Sequence, residues 1–322
     1  MILILSNNGD LSTDYVSDWL RYFNHPFQRI NSDDFFTKRF VFALSKDTIE
    51  LKFDDKTLCV DDINVVWHRK FGNFHKTSCY RNLIKNQHEY EVVELLQNEF
   101  KRTVTALQFM LDDKKWLTKY TSTGLNKILI LQKAIECGLR IPKTFIINHK
   151  SFFKSGGNYI SKSLVDPIRI RINEGKYGFM YTEKVKEYHI NHLPNLFTPS
   201  LIQEEIFKDY EIRVFYICGE IYPMAIFSQN DLQTSVDFRQ YNDICPNRFV
   251  PCKLKFGELD TIKKFMEKID LNCGSLDFIR TKDGQLVFLE VNPIGQFGMV
   301  DFPCNYGLHK KVAETLIKMD KK

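Results

Sequence analysis

Three oxygen-bearing side chains near the C-terminus have a spacing that suits a metal–phosphate site. In the stretch SLDFIRTKDGQLVFLEVNP, the KDG segment reads as the turn of a hairpin. Residues two apart on a strand share a face, so Glu290 and Asn292 point the same way, and Asp277 lies on the paired strand. Together they offer hard oxygen ligands without His or Cys, the chemistry that suits Mg²⁺ bridging phosphate oxygens. The same residues equally suit a polar hairpin rim in which Asn292 only caps the turn before Pro293.

Side chains fit for a nucleotide stand upstream of this hairpin. In LIQEEIFKDYEIRVFYICGEIYPMAI an acidic strand end leads into a second strand that sends Glu211 and Arg213 out on one face. A linker strand of this kind can hydrogen-bond an adenine edge through its backbone while Glu211 reaches the ribose hydroxyls. Lys127 and Lys162 are single cations in otherwise apolar segments, as point charges placed on phosphates would be, and VDFRQYN adds Arg239 near Asn242. Taken singly, each is also explained as a solvated Lys or a surface ion pair. Neither G-x-x-x-x-G-K-[ST] nor G-x-G-x-x-G occurs, so phosphates bound here must be held by side chains.

The elements that must position these groups read as α/β throughout. The segment ILIL followed by DYVSDWLRYF gives a strand then a helix, FQRINSDDF a second strand, and NVVWHRKFGNF a third. From about Gln87 to Leu117 apolar residues recur at helical spacing, so residues 1–118 are expected to form an N-terminal α/β domain closed by a long helix. A second unit, 119–200, starts with a helix through Ile128, Leu131, Ile135 and Leu139 that Gly138 and Pro142 stop, and continues with the strands KTFII and NYISKSL. The segment PIRIRINEGKYGFMYTEKV then makes two strands about a Gly-bearing turn. Residues 201–322 are richer in strands, carry the Asp/Glu/Asn group, and end in the helix KKVAETLIKM.

With 45 Lys and Arg against 40 Asp and Glu, the net charge of +5 is too weak to argue for nucleic acid but is compatible with an acidic peptide or a phosphate ligand. Eight scattered cysteines without a Cys-x-x-Cys pair favour reduced thiols over a zinc ribbon or redox motif. The opening MILILSNNGD is apolar for only five residues, too short for a signal peptide or a membrane span, so a cytoplasmic protein is expected.

The order Lys, Lys, acidic hinge, EIR, DFR, then LDF and FLEVN resembles the ATP-grasp superfamily of carboxylate-amine ligases, over roughly residues 120–322. The resemblance implies an ATP-grasp fold behind an N-terminal α/β pre-ATP-grasp domain, with ATP and Mg²⁺ as cofactors. By position, Lys127 and Lys162 look like the phosphate-binding lysines, and Gln203, Glu204, Glu205 and Ile206 like the adenine hinge. Glu211 corresponds to the ribose-binding acid, and Arg213 and Arg239 to the catalytic arginines facing the transferred phosphoryl group. Asp277, Glu290 and Asn292 look like the magnesium ligands, with PIGQFG as the turn that brings backbone close to them.

The segments VVWHRKFGNF, EIRVF and NPIGQFG, with the chain length, are similar to the ATP-grasp maturases of ribosomally made peptides, the graspetide or microviridin-type synthetases and in particular the grasp-with-spasm group. That implies macrocyclisation, in which Asp or Glu side chains of a precursor peptide, built of a leader and an acidic core, are joined to its own Ser/Thr hydroxyls or Lys amines. It also implies a homodimer. The hairpin around RIRINEGKYGFMYTEKV, together with the long helix before Trp116, is the expected leader-binding surface, although Arg169, Arg171 and Lys176 equally suit plain surface charges. The alternatives are a ligase adding a free amino acid such as glutamate to a protein or small acceptor, and a non-catalytic module of the same shape.

Overall fold

The apolar run Ile2–Ser6 (β1) is buried at all five positions, as expected of a parallel strand covered on both faces. In the computed structural model it pairs in parallel with Phe27–Asn31 (β2). An antiparallel meander follows, Phe40–Leu44 (β3), Ile49–Phe53 (β4) and Lys56–Cys59 (β5). The chain then returns to the other side of β1 as Val65–His68 (β6), and Lys115–Leu117 (β7) completes a four-stranded parallel sheet of order β2-β1-β6-β7. The structure describes all residues except 47–48, 166–168, 174–175, 180–181, 230–237, 239–243, 245 and 322; for residues 155, 169–173 and 176–179 it describes the backbone alone.

The helix Tyr90–Met110 buries Val93, Phe100, Val104 and Leu107, one stripe at helical spacing, in the core formed with Leu3, Leu5, Val66 and Trp116. It stops at Met110, before the Leu117 expected from periodicity, because Asp112 and Asp113 open a turn and Lys115–Leu117 then pairs with β6. Two compact units emerge from the packing. One comprises Met1–Thr123, Pro293–Asp301 and Tyr306–Lys322, and the other Gly124–Asn292 and Phe302–Asn305.

The second unit holds two larger sheets. Thr144–His149 (β8) and Tyr159–Lys162 (β9) flank a long later strand, and Arg169–Asn173 (β10) and Lys176–Phe179 (β11) form the expected hairpin. Glu183–Lys184 (β12) and Leu196–Glu204 (β13) complete a four-stranded sheet of order β12-β9-β13-β8. The strands Lys208–Ile217 (β14), Glu220–Phe227 (β15), Arg248–Pro251 (β16), Cys273–Thr281 (β17) and Leu286–Asn292 (β18) form an antiparallel sheet of order β16-β15-β14-β17-β18. One face of this sheet sends Ile212, Val214, Leu276, Phe278 and Phe288 into a core shared with the helices Lys127–Glu136 and Phe256–Lys268. The Asn126 side chain caps the first of these helices by accepting from the backbone N–H groups of Ile128 and Leu129.

Candidate active site

Register decides what the other face of the antiparallel sheet presents. Arg213 on β14 stands opposite Asp277 on β17, and Asp277 stands opposite Glu290 on β18, so a cation and two carboxylates form one row across three strands. The next row brings Ser275 opposite Asn292. Arg213 Nη1 donates to both Asp277 oxygens at 3.2 and 3.3 Å, and the two side chains are only 7% and 13% exposed. Such a pair fixes the carboxylate in direction.

Glu290 reaches this row because β18 is bulged. Phe278 pairs with Phe288, yet Asp277 pairs with Glu290, which leaves Leu289 as an extra residue. Strict alternation would put Glu290 on the same face as Phe288, whose side chain is fully buried in the core. The bulge turns it to the opposite face instead. A second bulge lies on β14, where Lys208 pairs with Thr281 and Tyr210 with Arg280, so that Asp209 is the extra residue.

A cavity lined entirely by residues of the second unit opens over this face. Lys162, Glu204, Glu211, Asp277 and Glu290 supply its ionic groups, while Ile160, Ile206, Ile279 and Leu289 are among its apolar ones. Few polar groups in an apolar concavity fit a ligand that has a flat apolar part and a charged part. Glu211 is bonded within the protein by Lys208, whose Nζ donates to Oε1.

The expected site residues therefore divide. Lys162, Glu204, Ile206, Glu211, Asp277 and Glu290 share the cavity wall, with Arg213 paired to Asp277 and Asn292 one row further on. Lys127 donates to the carbonyls of Ser163 at 2.9 Å and Val165 at 3.2 Å, tying the helix start to the segment that follows β9. Gln203 is buried and donates to Thr144 Oγ1 at 2.9 Å, and Glu205 pairs with Lys184 at 2.5 Å. The Glu204 carboxylate accepts from the Lys143 backbone N–H at 2.9 Å. Arg239 and Asn242 lie outside the described residues, as do the side chains of Arg169, Arg171 and Lys176. Sequence reasoning missed Thr182 and Phe238 on the cavity wall and Lys208 behind Glu211. Lys208 and Glu211 are three apart, which on a regular strand means opposite faces, so spacing gave no signal for the pair.

Among the described residues no three His, Cys, Asp or Glu side chains gather into a metal-binding group. The donor set available is two carboxylates facing each other across β17 and β18 and the carboxamide of Asn292. All are hard oxygen donors, and they fit Mg²⁺ completed by phosphate oxygens better than a closed protein cage.

In the first unit the turn after Asn292 has its own anchor. Arg69, 2% exposed, donates from Nη1 to the carbonyls of Ile294 at 2.7 Å and Gly295 at 2.8 Å, and from Nε to Asp10 at 2.6 Å. Its guanidinium lies 4.9 Å from the Phe297 ring centroid, and Lys70 adds a bond to Asp10 at 2.8 Å. Burial pushes the Asp10 carboxyl upward, but Arg69, Lys70 and Thr13 outweigh it and hold the pKa down to about 2. Beside them His68 is held down to about 4 by burial.

No protein-family model matches the sequence, and no curated protein matches it either. Solved structures do. The chain has the fold of the ATP-grasp ligases. An RiPP-associated ATP-grasp ligase of Chryseobacterium gregarium, in complex with ADP and a leader and core peptide, superposes with a TM-score of 0.86 at 21% identity, covering 98% of this chain and 96% of that one. The macrocyclase MdnC of Microcystis aeruginosa, bound with its precursor peptide MdnA, gives 0.83 at 22% identity over 99% of both chains. The D-alanyl-alanine synthetase A of Vibrio cholerae is more distant, at 0.57 and 14% identity over 99% of this chain and 96% of that one. Among the described residues no helix is long and apolar enough to cross a membrane.

Proposed function

We propose that the chain is an ADP-forming ligase that uses ATP and Mg²⁺ to activate Asp or Glu side chains of a ribosomal precursor peptide and closes them onto Ser/Thr hydroxyls or Lys amines of the same peptide. The observation that carries this reading is the row Arg213–Asp277–Glu290, set on the wall of a cavity that also holds Lys162 and Glu211. Likeness in fold to ligases solved with ADP and with leader and core peptides supports the choice of substrate.

In this reading Asp277, Glu290 and Asn292 would hold the metal, which would supply charge neutralisation at the phosphates. Lys127 and Lys162 stand at the phosphates, and residues 203–206 supply their backbone to the adenine edge, with Glu211 at the ribose. Arg213, its direction fixed by Asp277, and Arg239 stabilise the phosphoryl group as it passes to a substrate carboxylate. The product of that step is an acyl phosphate and ADP. Attack by a hydroxyl or amine of the same bound peptide then forms the ester or amide and releases phosphate. Because both partners belong to one held chain, closure is effectively unimolecular, and no protein nucleophile is needed. The peptide's leader binds at the β10–β11 hairpin, and the working enzyme is a cytoplasmic homodimer.

The test is the intact mass of a small acidic precursor after incubation with the protein, ATP and Mg²⁺. Loss of one water per link, with ADP released, is expected. A gain of amino-acid mass would replace this reading with ligation of a free amino acid, and an unchanged mass across a panel of acidic precursors would overturn it.

A further inference from the structure

The bulge on β14 has a specific product. Counting Asp209 as the extra residue, Lys208 and Glu211 come to one side of the strand although they are three apart, and Lys208 Nζ donates to Glu211 Oε1. Both side chains are buried, at 6% and 8% exposure. Yet only Glu211 belongs to the cavity wall, and Lys208 stands behind it. A buried Lys is tolerated where its charge is matched, and a buried carboxylate keeps its charge and its rotamer when a fixed cation bonds one of its oxygens. The pair therefore presents an ionised carboxylate in one orientation to whatever fills the cavity. An ionised carboxylate is an acceptor only, so the ligand group it selects must donate.

We infer that Lys208 is a positioning residue that aims Glu211 at the sugar hydroxyls of the bound nucleotide and thereby makes the site selective for ribonucleotides over deoxyribonucleotides. The inference rests on the nucleotide reading of the cavity and adds to it the residue that gives Glu211 its direction. A neutral residue at 208 removes the cationic bond that sets the direction of the Glu211 carboxylate, and the selectivity is lost before binding itself is. The pyrimidine or purine base plays no part in this discrimination, since the pair acts on the sugar alone.

The experiment is calorimetric titration of the full chain with ADP, 2′-deoxyADP and 3′-deoxyADP in the presence of Mg²⁺, which needs no peptide substrate. Wild type is expected to bind ADP about ten- to a hundred-fold more tightly than at least one deoxy analogue, the range for a hydrogen bond to a charged acceptor. Lys208→Met is expected to narrow that ratio to within about threefold while its affinity for the disfavoured analogue stays near wild type, whereas a purely structural lysine would weaken all three ligands alike. Glu211→Gln should abolish the ratio too, and adding Lys208→Met to it should change nothing further. Lys208→Gln, checked by thermal unfolding, stands in if the Met variant does not fold. A Lys208 variant that keeps the wild-type ratio, or a wild type that binds all three equally, overturns the inference. If wild type binds none of the three, it is the nucleotide reading of the cavity that fails.

Discussion

Asp10 offers a stability test whose size follows from the structure. Its carboxylate is 6% exposed and bonded by Arg69, Lys70 and Thr13, and its pKa lies at about 2 against 3.8 for a solvated Asp. At about 1.36 kcal/mol per pKa unit, that depression contributes about 2.5 kcal/mol to folding at neutral pH. The sign follows from linkage: the folded pKa is depressed, so the contribution is complete above the unfolded value near 4 and is lost as pH falls toward about 2. Asp10→Asn removes this and leaves the Arg69 guanidinium buried without its anion, so the loss at neutral pH should lie between about 2.5 and 5 kcal/mol. Trp19, Trp67 and Trp116, the chain's three tryptophans, all lie in the first unit, so urea unfolding followed by tryptophan emission reports on that unit alone. The gap between wild type and Asp10→Asn should shrink as pH falls from about 5 to about 2. A gap under about 1 kcal/mol at neutral pH, or one that does not shrink in that window, would refute the reasoning.

Other expectations concern the second unit. Asp277→Asn and Glu290→Gln should each abolish ATP-dependent modification of a precursor while circular dichroism stays that of wild type; activity within about tenfold of wild type in either would sink the metal assignment. Lys162→Met should weaken ADP binding about ten- to a hundred-fold by calorimetry, and an unchanged affinity would remove it from the phosphate site. Deleting Leu289 makes β18 regular and places Glu290 directly after Phe288, so Glu290 still faces away from the core and Mg²⁺-dependent nucleotide binding should stay within about tenfold of wild type; its loss would show that the bulge itself shapes the site. Glu258 bonds Arg280 at 2.5 and 3.0 Å with both side chains mostly buried, so Glu258→Gln should cost about 3 to 5 kcal/mol in denaturant unfolding read by circular dichroism.

The strands and helices that carry the site were legible because their signals are local. Ile2–Ser6, the helix from Lys127, the strands of YEIRVFYI and LVFLEVN and the final helix all follow from apolar runs or helical spacing closed by Gly and Pro. The meander β3 to β5 is not legible in the sequence, since FVFAL and KTLC do not alternate cleanly and lie partly exposed. Pairing Asp277 with Glu290 was legible from the hairpin, but the reason they meet was not. An extra residue in a strand leaves no mark in composition, and parity counted from Phe288 would have put Glu290 in the core. Arg69 was visible only as one cation of HRK, because its partners Asp10, Ile294 and Gly295 are remote in sequence and brought to it by the tertiary fold.

The bulge at Leu289 makes β18 two half-strands out of phase. Before it, Leu286 and Phe288 serve the core from even-numbered positions; after it, Val291 does so from an odd one, while Glu290 and Asn292 face the other way. A substitution scan of this strand should therefore show its tolerance to charge change parity in mid-strand. LVFLEVN has no amphipathic signature as a whole, since residues 286–289 are all apolar and only the EVN end alternates. For anyone redesigning this sheet, Leu289 is part of the site as much as the carboxylate itself, because keeping all of its residues while straightening the bulge into regular pairing would exchange the roles of every side chain beyond it.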